Sequence, residues 1–130
     1  MEAMERDVAP QELIEARMEA IVNLGNFEAV FLFTDEGLPL AKATRQDASD
    51  EDRLAEMSLT FQNVKNLATS LGGIERLKEV FIEGENHRKV VFRFFHALGN
   101  DLVLAAIIPP KRAYRKVTND LQRLILSLKF

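Results

Sequence analysis

Four groups of residues have types suited to chemistry: the histidines His87 and His96, the pair Gly72-Gly73 with Lys78 downstream, the carboxylates Asp47, Asp50, Glu51, Asp52 and Glu56, and the cations Lys111, Arg112, Arg115 and Lys116. Neither histidine has a further ligand three or four residues downstream, the spacing common in metal sites. The chain has no cysteine, and no serine sits in a nucleophile motif, so neither histidine has a nucleophile to activate. A phosphate-binding loop needs glycines and a lysine at set spacing, so that backbone N–H groups surround the phosphate. Gly72-Gly73-Ile-Glu-Arg-Leu-Lys78 lacks that order and reads as a helix stop. The carboxylate run lacks the alternating oxygen ligands and the glycine of a calcium loop, and acids belong at a helix N-terminus, where the backbone dipole is positive. No catalytic residue, metal ligand or cofactor follows from these groups.

The cations are harder to dismiss. In the first turn of a helix each opposes the dipole at a cost of a few tenths of a kcal/mol. Arg112, Arg115 and Lys116 are therefore a candidate docking patch for an acidic protein or an anionic surface, with a solvated basic face as the plainer reading. No stacking platform accompanies them, and a net charge of -3 with a pI near 5.4 gives no general attraction to phosphate backbones, so nucleic acid is not an expected partner.

A chain of 130 residues with 47% hydrophobic content suits one domain. Residues 1–9 read as a flexible polar tail and residues 10–130 as the domain. The start of the chain lacks an apolar signal core, and no apolar run approaches the roughly 20 residues that span a bilayer. With no cysteine, a reducing cytoplasm is the expected location.

Pro10 suits a first helical turn, and Leu13, Ile14, Met18, Ile21 and Val22 mark one face of a helix ending near Gly25. Phe27 to Thr34 is a strand apolar on both faces, with Phe27, Ala29, Phe31 and Phe33 opposite Val30 and Leu32, so both faces must be covered. Ser49 and Asp52 read as a capping box for a helix from about Asp50 to Leu71. Its apolar stripe is Leu54, Met57, Phe61, Val64, Leu67, Ala68 and Leu71, and Leu59 falls outside it. Three strands follow: Leu77 to Glu83, Val90 to Ala97 and Leu102 to Ile108. The last has no polar residue and belongs inside a sheet. A final helix from about Ala113 carries Tyr114, Val117, Leu121, Leu124, Ile125 and Leu128 on one face. The order α-β-β-α-β-β-β-α with short links gives an α+β sandwich of antiparallel strands.

Between the first two strands, Thr34-Asp-Glu-Gly-Leu-Pro-Leu-Ala41 combines a Gly37 suited to positive φ, as a bulged three-residue loop requires, with Pro39, which marks the return strand as a sheet edge. This hairpin, with a helix before it and a long helix after it, resembles the signature of the Roadblock/dynein-light-chain family and its MglB-type prokaryotic members, over nearly the whole chain. The resemblance implies a five-stranded antiparallel sheet with the middle helix on one face and the N- and C-terminal helices on the other. It also implies a non-catalytic homodimer that binds a small Ras-like GTPase as regulator or scaffold. Two copies would join through the third strand and the middle helix, which assigns Leu59, Val80, Phe81 and Ile82 to the dimer interface and Leu59, Gln62, Asn63 and Asn66 to the partner surface. The uncharged run Val80-Phe81-Ile82 agrees, because such an edge invites pairing. Two alternatives stay open: a small-ligand sensor of PAS or profilin-like type, which needs a cavity between sheet and helix, and a dimeric assembly module with no GTPase partner.

Overall fold

The structure, a computed structural model, describes residues 9–45 and 49–128. Asp47, the Ser49 side chain of the expected capping box and most of the N-terminal tail lie outside the described residues. Helix α1 (Pro10–Asn23) leads into strands β1 (Ala29–Thr34) and β2 (Pro39–Thr44), helix α2 (Ser49–Ser70), strands β3 (Glu79–Glu83), β4 (Lys89–Ala97) and β5 (Asn100–Ile108), and helix α3 (Arg115–Ser127). The strands form one antiparallel sheet in the order β2-β1-β5-β4-β3.

Alternation along the strands feeds two apolar layers. Ala29, Phe31, Phe33, Phe92, Phe94, Val103, Ala105 and Ile107 face α2 and pack with Leu54. Val30, Leu32, Val91, Leu102, Leu104, Ala106 and Ile108 face α1 and α3, where Ile14, Met18, Tyr114, Leu121 and Ile125 close the layer. The expected layering is present, and β5, buried from Leu102 onward, runs through the middle. Phe27 differs from expectation. It packs in the α1/α3 layer rather than beside Phe31, because the strand begins only at Ala29 and alternation does not extend back to it. The third strand is also shorter than expected, starting at Glu79 rather than Leu77.

The larger correction concerns α2. Leu54 is buried, but Val64, Leu67 and Leu71 are 40%, 66% and 76% exposed. The buried Ser58 gives the reason: its hydroxyl donates to Ala55 O at 2.8 Å, which lets a serine sit against the sheet. The line of contact runs through Leu54, Ser58 and Phe61, turned by roughly 70° from the middle of the apolar stripe. One flank of that stripe is left outside.

At the first hairpin, Gly37 N–H donates to Thr34 O at 3.0 Å and Thr34 N–H to Leu38 O at 2.9 Å, with a register shift between Leu32 and Phe33. This is the bulged loop expected. Gly37 has φ of +84°, and a Cβ there would lie 3.3 Å from Leu59. We expect Gly37→Val to destabilise the fold by roughly 1–3 kcal/mol, since a β-branched residue resists positive φ. Unchanged urea unfolding would show that this turn does not depend on the left-handed conformation.

Candidate interaction site

An edge strand presents unpaired N–H and C=O groups, and the two edges of this sheet treat them differently. At β2 the edge is closed. Pro39 has no N–H, Glu15 of α1 accepts the outward N–H of Lys42 at 3.1 Å, and the Lys42 ammonium pairs with Glu51 at 2.7 Å. The bond to Glu51 raises the Lys42 pKa above its ordinary value. At β3 the ladder fixes which groups point outward. Phe94 N–H donates to Lys78 O and Gly84 N–H to Arg88 O, so the even-numbered residues bond inward to β4. Glu79, Phe81 and Glu83 therefore direct their backbone groups away from the sheet. Among the described residues no strand pairs with that side of β3.

Side chains at this edge are correspondingly bare. Phe81 is 42% and Ile82 38% exposed, and Ile74 of the linker is 42% exposed. Leu59 packs over Gly37, so its flank of α2 faces the β1–β2 turn. Val64, Leu67 and Leu71 lie about 80–140° further round the helix, on its other flank. Exposed apolar side chains thus occur both on α2, at Val64, Leu67 and Leu71, and at the β3 edge, at Phe81 and Ile82, surfaces of the kind that mark an interface.

Beneath β3 lies a polar network absent from the sequence reading. Arg93, almost wholly buried in β4, faces Glu79 across the ladder and holds its carboxylate at 2.7 Å, while its remaining donors reach Asn119 and, at 3.4 Å, Gln122 of α3. Tyr114 donates to the other Glu79 oxygen at 3.2 Å. Burial first, and the Glu79 charge second, push the Tyr114 pKa above its ordinary value. The Tyr114 ring stacks on Phe81, centroids 5.5 Å apart, and the Arg115 guanidinium lies over the same ring, 5.3 Å from its centroid. The edge strand is thereby bound to α3 by charge, hydrogen bond and ring contact. The available signal was a lone arginine inside the apolar run Val90 to Ala97.

The other candidate residues lie elsewhere. Asn63 and Asn66 are exposed, and Gln62 is half-buried at the rim of a groove of about 1030 Å³ between α2, the linker and the β4–β5 hairpin. Lys65, Arg76, Lys78, Glu75 and Asp101 give that groove mixed charge. His96 lies 3.0 Å from Asp101, and this hydrogen bond holds the Asp101 carboxyl below its ordinary pKa. The groove lies at the end of the sheet, whereas the layer between α2 and the sheet is filled by Phe31, Phe33, Leu54 and Phe92. Arg112, Arg115 and Lys116 are exposed at the start of α3, with Lys116 paired to Asp120 at 3.2 Å. The His87 ring lies 3.4 Å from the Glu83 carboxylate, and no group of three or more metal-ligating side chains occurs among the described residues. No described helix is long and apolar enough to cross a membrane.

The architecture is similar to that of solved MglB and Roadblock/LC7 structures. MglB from Myxococcus xanthus superposes with a TM-score of 0.68 at 19% identity, covering 86% of this chain and 88% of that one. The gliding protein MglB from Thermus thermophilus gives 0.71 at 18%, covering 90% and 86%. A Roadblock/LC7 domain from Streptomyces avermitilis gives 0.67 at 13%, covering 85% and 90%. No family model and no curated protein sequence matches the chain. The fold is of Roadblock/MglB type.

The network makes a stability prediction. Arg93→Ala leaves Glu79 without its buried partner and should cost about 3 kcal/mol or more, whereas Tyr114→Phe, which removes one hydrogen bond, should cost about 1 kcal/mol. Urea unfolding measures both, and equal small losses would mean the Arg93–Glu79 pair is not an anchor of β3.

Proposed function

We propose that this protein is a non-catalytic homodimer that binds a small Ras-like GTPase and regulates or scaffolds it. One observation carries the reading: a sheet with one guarded edge and one open edge, in a molecule that also leaves an apolar flank of α2 uncovered. Pairing two β3 strands satisfies the outward backbone groups, and burying Phe81, Ile82, Val64, Leu67 and Leu71 against a second copy removes the exposed apolar surface from water, at about 1.5–3 kcal/mol per fully buried large side chain. The fold similarity to MglB, together with the family resemblance that implies a GTPase partner, supports the partner class. Chemistry at the site is recognition, since the side chains gathered there are apolar, amide and paired ionic groups rather than an activated nucleophile with its base.

Leu59, Gln62, Asn63 and Asn66 form one contiguous face of α2. In this reading that face supplies the partner surface, with Leu59 beside the β1–β2 turn. A partner bound there acts by differential affinity for the two nucleotide states of its switch loops. The basic start of α3, at Arg112, Arg115 and Lys116, is the competing docking surface. A small-ligand sensor is the weaker reading, because the sheet–helix layer is packed with phenylalanine.

Two measurements test this. Light scattering on a size-exclusion peak should give about twice 14.7 kDa at micromolar concentration, and Ile82→Lys or Leu67→Lys should shift the protein toward monomer, since a charge in an apolar seam costs several kcal/mol. A wild-type monomer would remove the homodimer. The immobilised protein should capture a Ras-like GTPase from the same cell with unequal affinity for its GTP-analogue and GDP forms. Joint replacement of Leu59, Gln62 and Asn66 by lysine should reduce capture while the dimer persists. Loss of capture only on charge reversal at Arg112, Arg115 and Lys116 would move the docking site to α3, and absence of capture in both nucleotide states would leave a dimeric assembly module.

A further inference from the structure

The β3 sequence Glu79-Val80-Phe81-Ile82-Glu83 reads the same by residue type in both directions: acid, β-branched, aromatic, β-branched, acid. A two-fold axis maps an antiparallel strand onto itself, so such a strand is its own complement about its central residue. From this and the ladder geometry we infer that two copies pair β3 with β3 in the register centred on Phe81. The inference rests on the homodimer reading and goes beyond it by fixing which residue faces which.

Hydrogen bonding limits the choices. Only Glu79, Phe81 and Glu83 turn their backbone groups outward, and an outward residue must face an outward residue. Centres at Glu79 or Glu83 would set one outward residue against itself and engage no other of the strand, which leaves three: Val80, Phe81 or Ile82. The Phe81 centre engages all three outward residues of each strand. The other two each leave an acid beyond the paired segment and set Phe81 against a glutamate.

Side-chain rows favour the same centre. Across four strands, the Phe81 register continues the existing pairs of β3 with β4. On the α1/α3 face, the middle row is Val91, Phe81, and then the same two residues of the second copy in reverse. Each ring keeps Tyr114 stacked against it. On the α2 face, Val80 meets Ile82 of the second copy, flanked by Phe92 and Val90. The outer rows bring Glu79 of one copy opposite Glu83 of the other. Like charges directly opposed destabilise a sheet, but here each has a cation on its far side. Glu79 faces Arg93 and Glu83 faces Lys89 in its own ladder. The row reads cation, acid, acid, cation and is neutral as a whole. Arg93, nearly buried and unable to deprotonate, thus acts as a positioning residue for the seam as well as an anchor of the strand.

The chain has no cysteine, so single-cysteine variants report register without interference. In the Phe81 register, residues 80 and 82 of opposite copies face each other at a Cα separation of about 4.5 Å, within disulfide range, whereas 80 faces 80 or 82 faces 82 only diagonally at about 7–8 Å. Val80→Cys and Ile82→Cys are prepared separately, confirmed as dimers by light scattering, mixed, allowed to exchange subunits and mildly oxidised. The expected result is a covalent dimer in the mixture and not in either variant alone. Self-crosslinking of Val80→Cys or of Ile82→Cys alone would place the centre at that residue and overturn the register while leaving the homodimer intact. Dimers that exchange subunits but crosslink in no combination would overturn β3 pairing altogether. A wild-type protein that is monomeric by light scattering fails the homodimer reading itself, and the register with it.

Discussion

Every backbone N–H and C=O of a sheet edge must find a partner, be covered or face water, and this requirement organises the molecule. At β2 it is met from within: Glu15 reaches down from α1 to the Lys42 amide, Pro39 removes a donor, and the Lys42 side chain is tied to Glu51 at the start of α2. At β3 it is not met from within. The strand is short and uncharged in its middle, with Phe81 and Ile82 partly exposed. A protein that guards one edge with three devices leaves the other available for pairing.

The bare edge is nonetheless held firmly. Glu79, Arg93, Tyr114 and α3 form a brace on the face opposite α2, and the brace is ionic where it is buried and aromatic where it meets solvent. A lone buried arginine would be costly, but here it is compensated by a carboxylate and two amide oxygens, so all three of its nitrogens have acceptors. Rigidity at an edge lowers the ordering cost of pairing with another strand, since the strand is already in the conformation that pairing needs. Tyr114 also links that edge to the cationic start of α3, so the open edge and the basic surface share one ring.

Much of this was legible in the chain. The β1–β2 hairpin is local, and Gly37 and Pro39 restrict the backbone so strongly that loop type and edge position follow from them. Strands β1 and β5, apolar on both faces, had to be interior. The orientation of α2 was not legible, because its apolar stripe is wider than the contact it makes: Val64, Leu67 and Leu71 have the same residue types as a core face, and only the buried Ser58 reveals how the helix is turned. The Arg93 network joins residues about 14 to 35 positions apart through tertiary geometry, and no periodicity encodes such a contact. Leu59 stood out as off the stripe, yet its contact with Gly37 depended on strand positions that pattern alone does not supply.

The central claim is that the two edges differ in kind, one closed by the chain itself and one closed by a second copy. Amide hydrogen exchange across a dilution series tests it at single residues. The Phe81 amide should be protected at high protein concentration and lose protection on dilution, while the Lys42 amide, held by Glu15, should exchange at a rate independent of concentration. A Phe81 amide that exchanges rapidly at every concentration, or a Lys42 amide that responds to dilution as Phe81 does, would contradict the account.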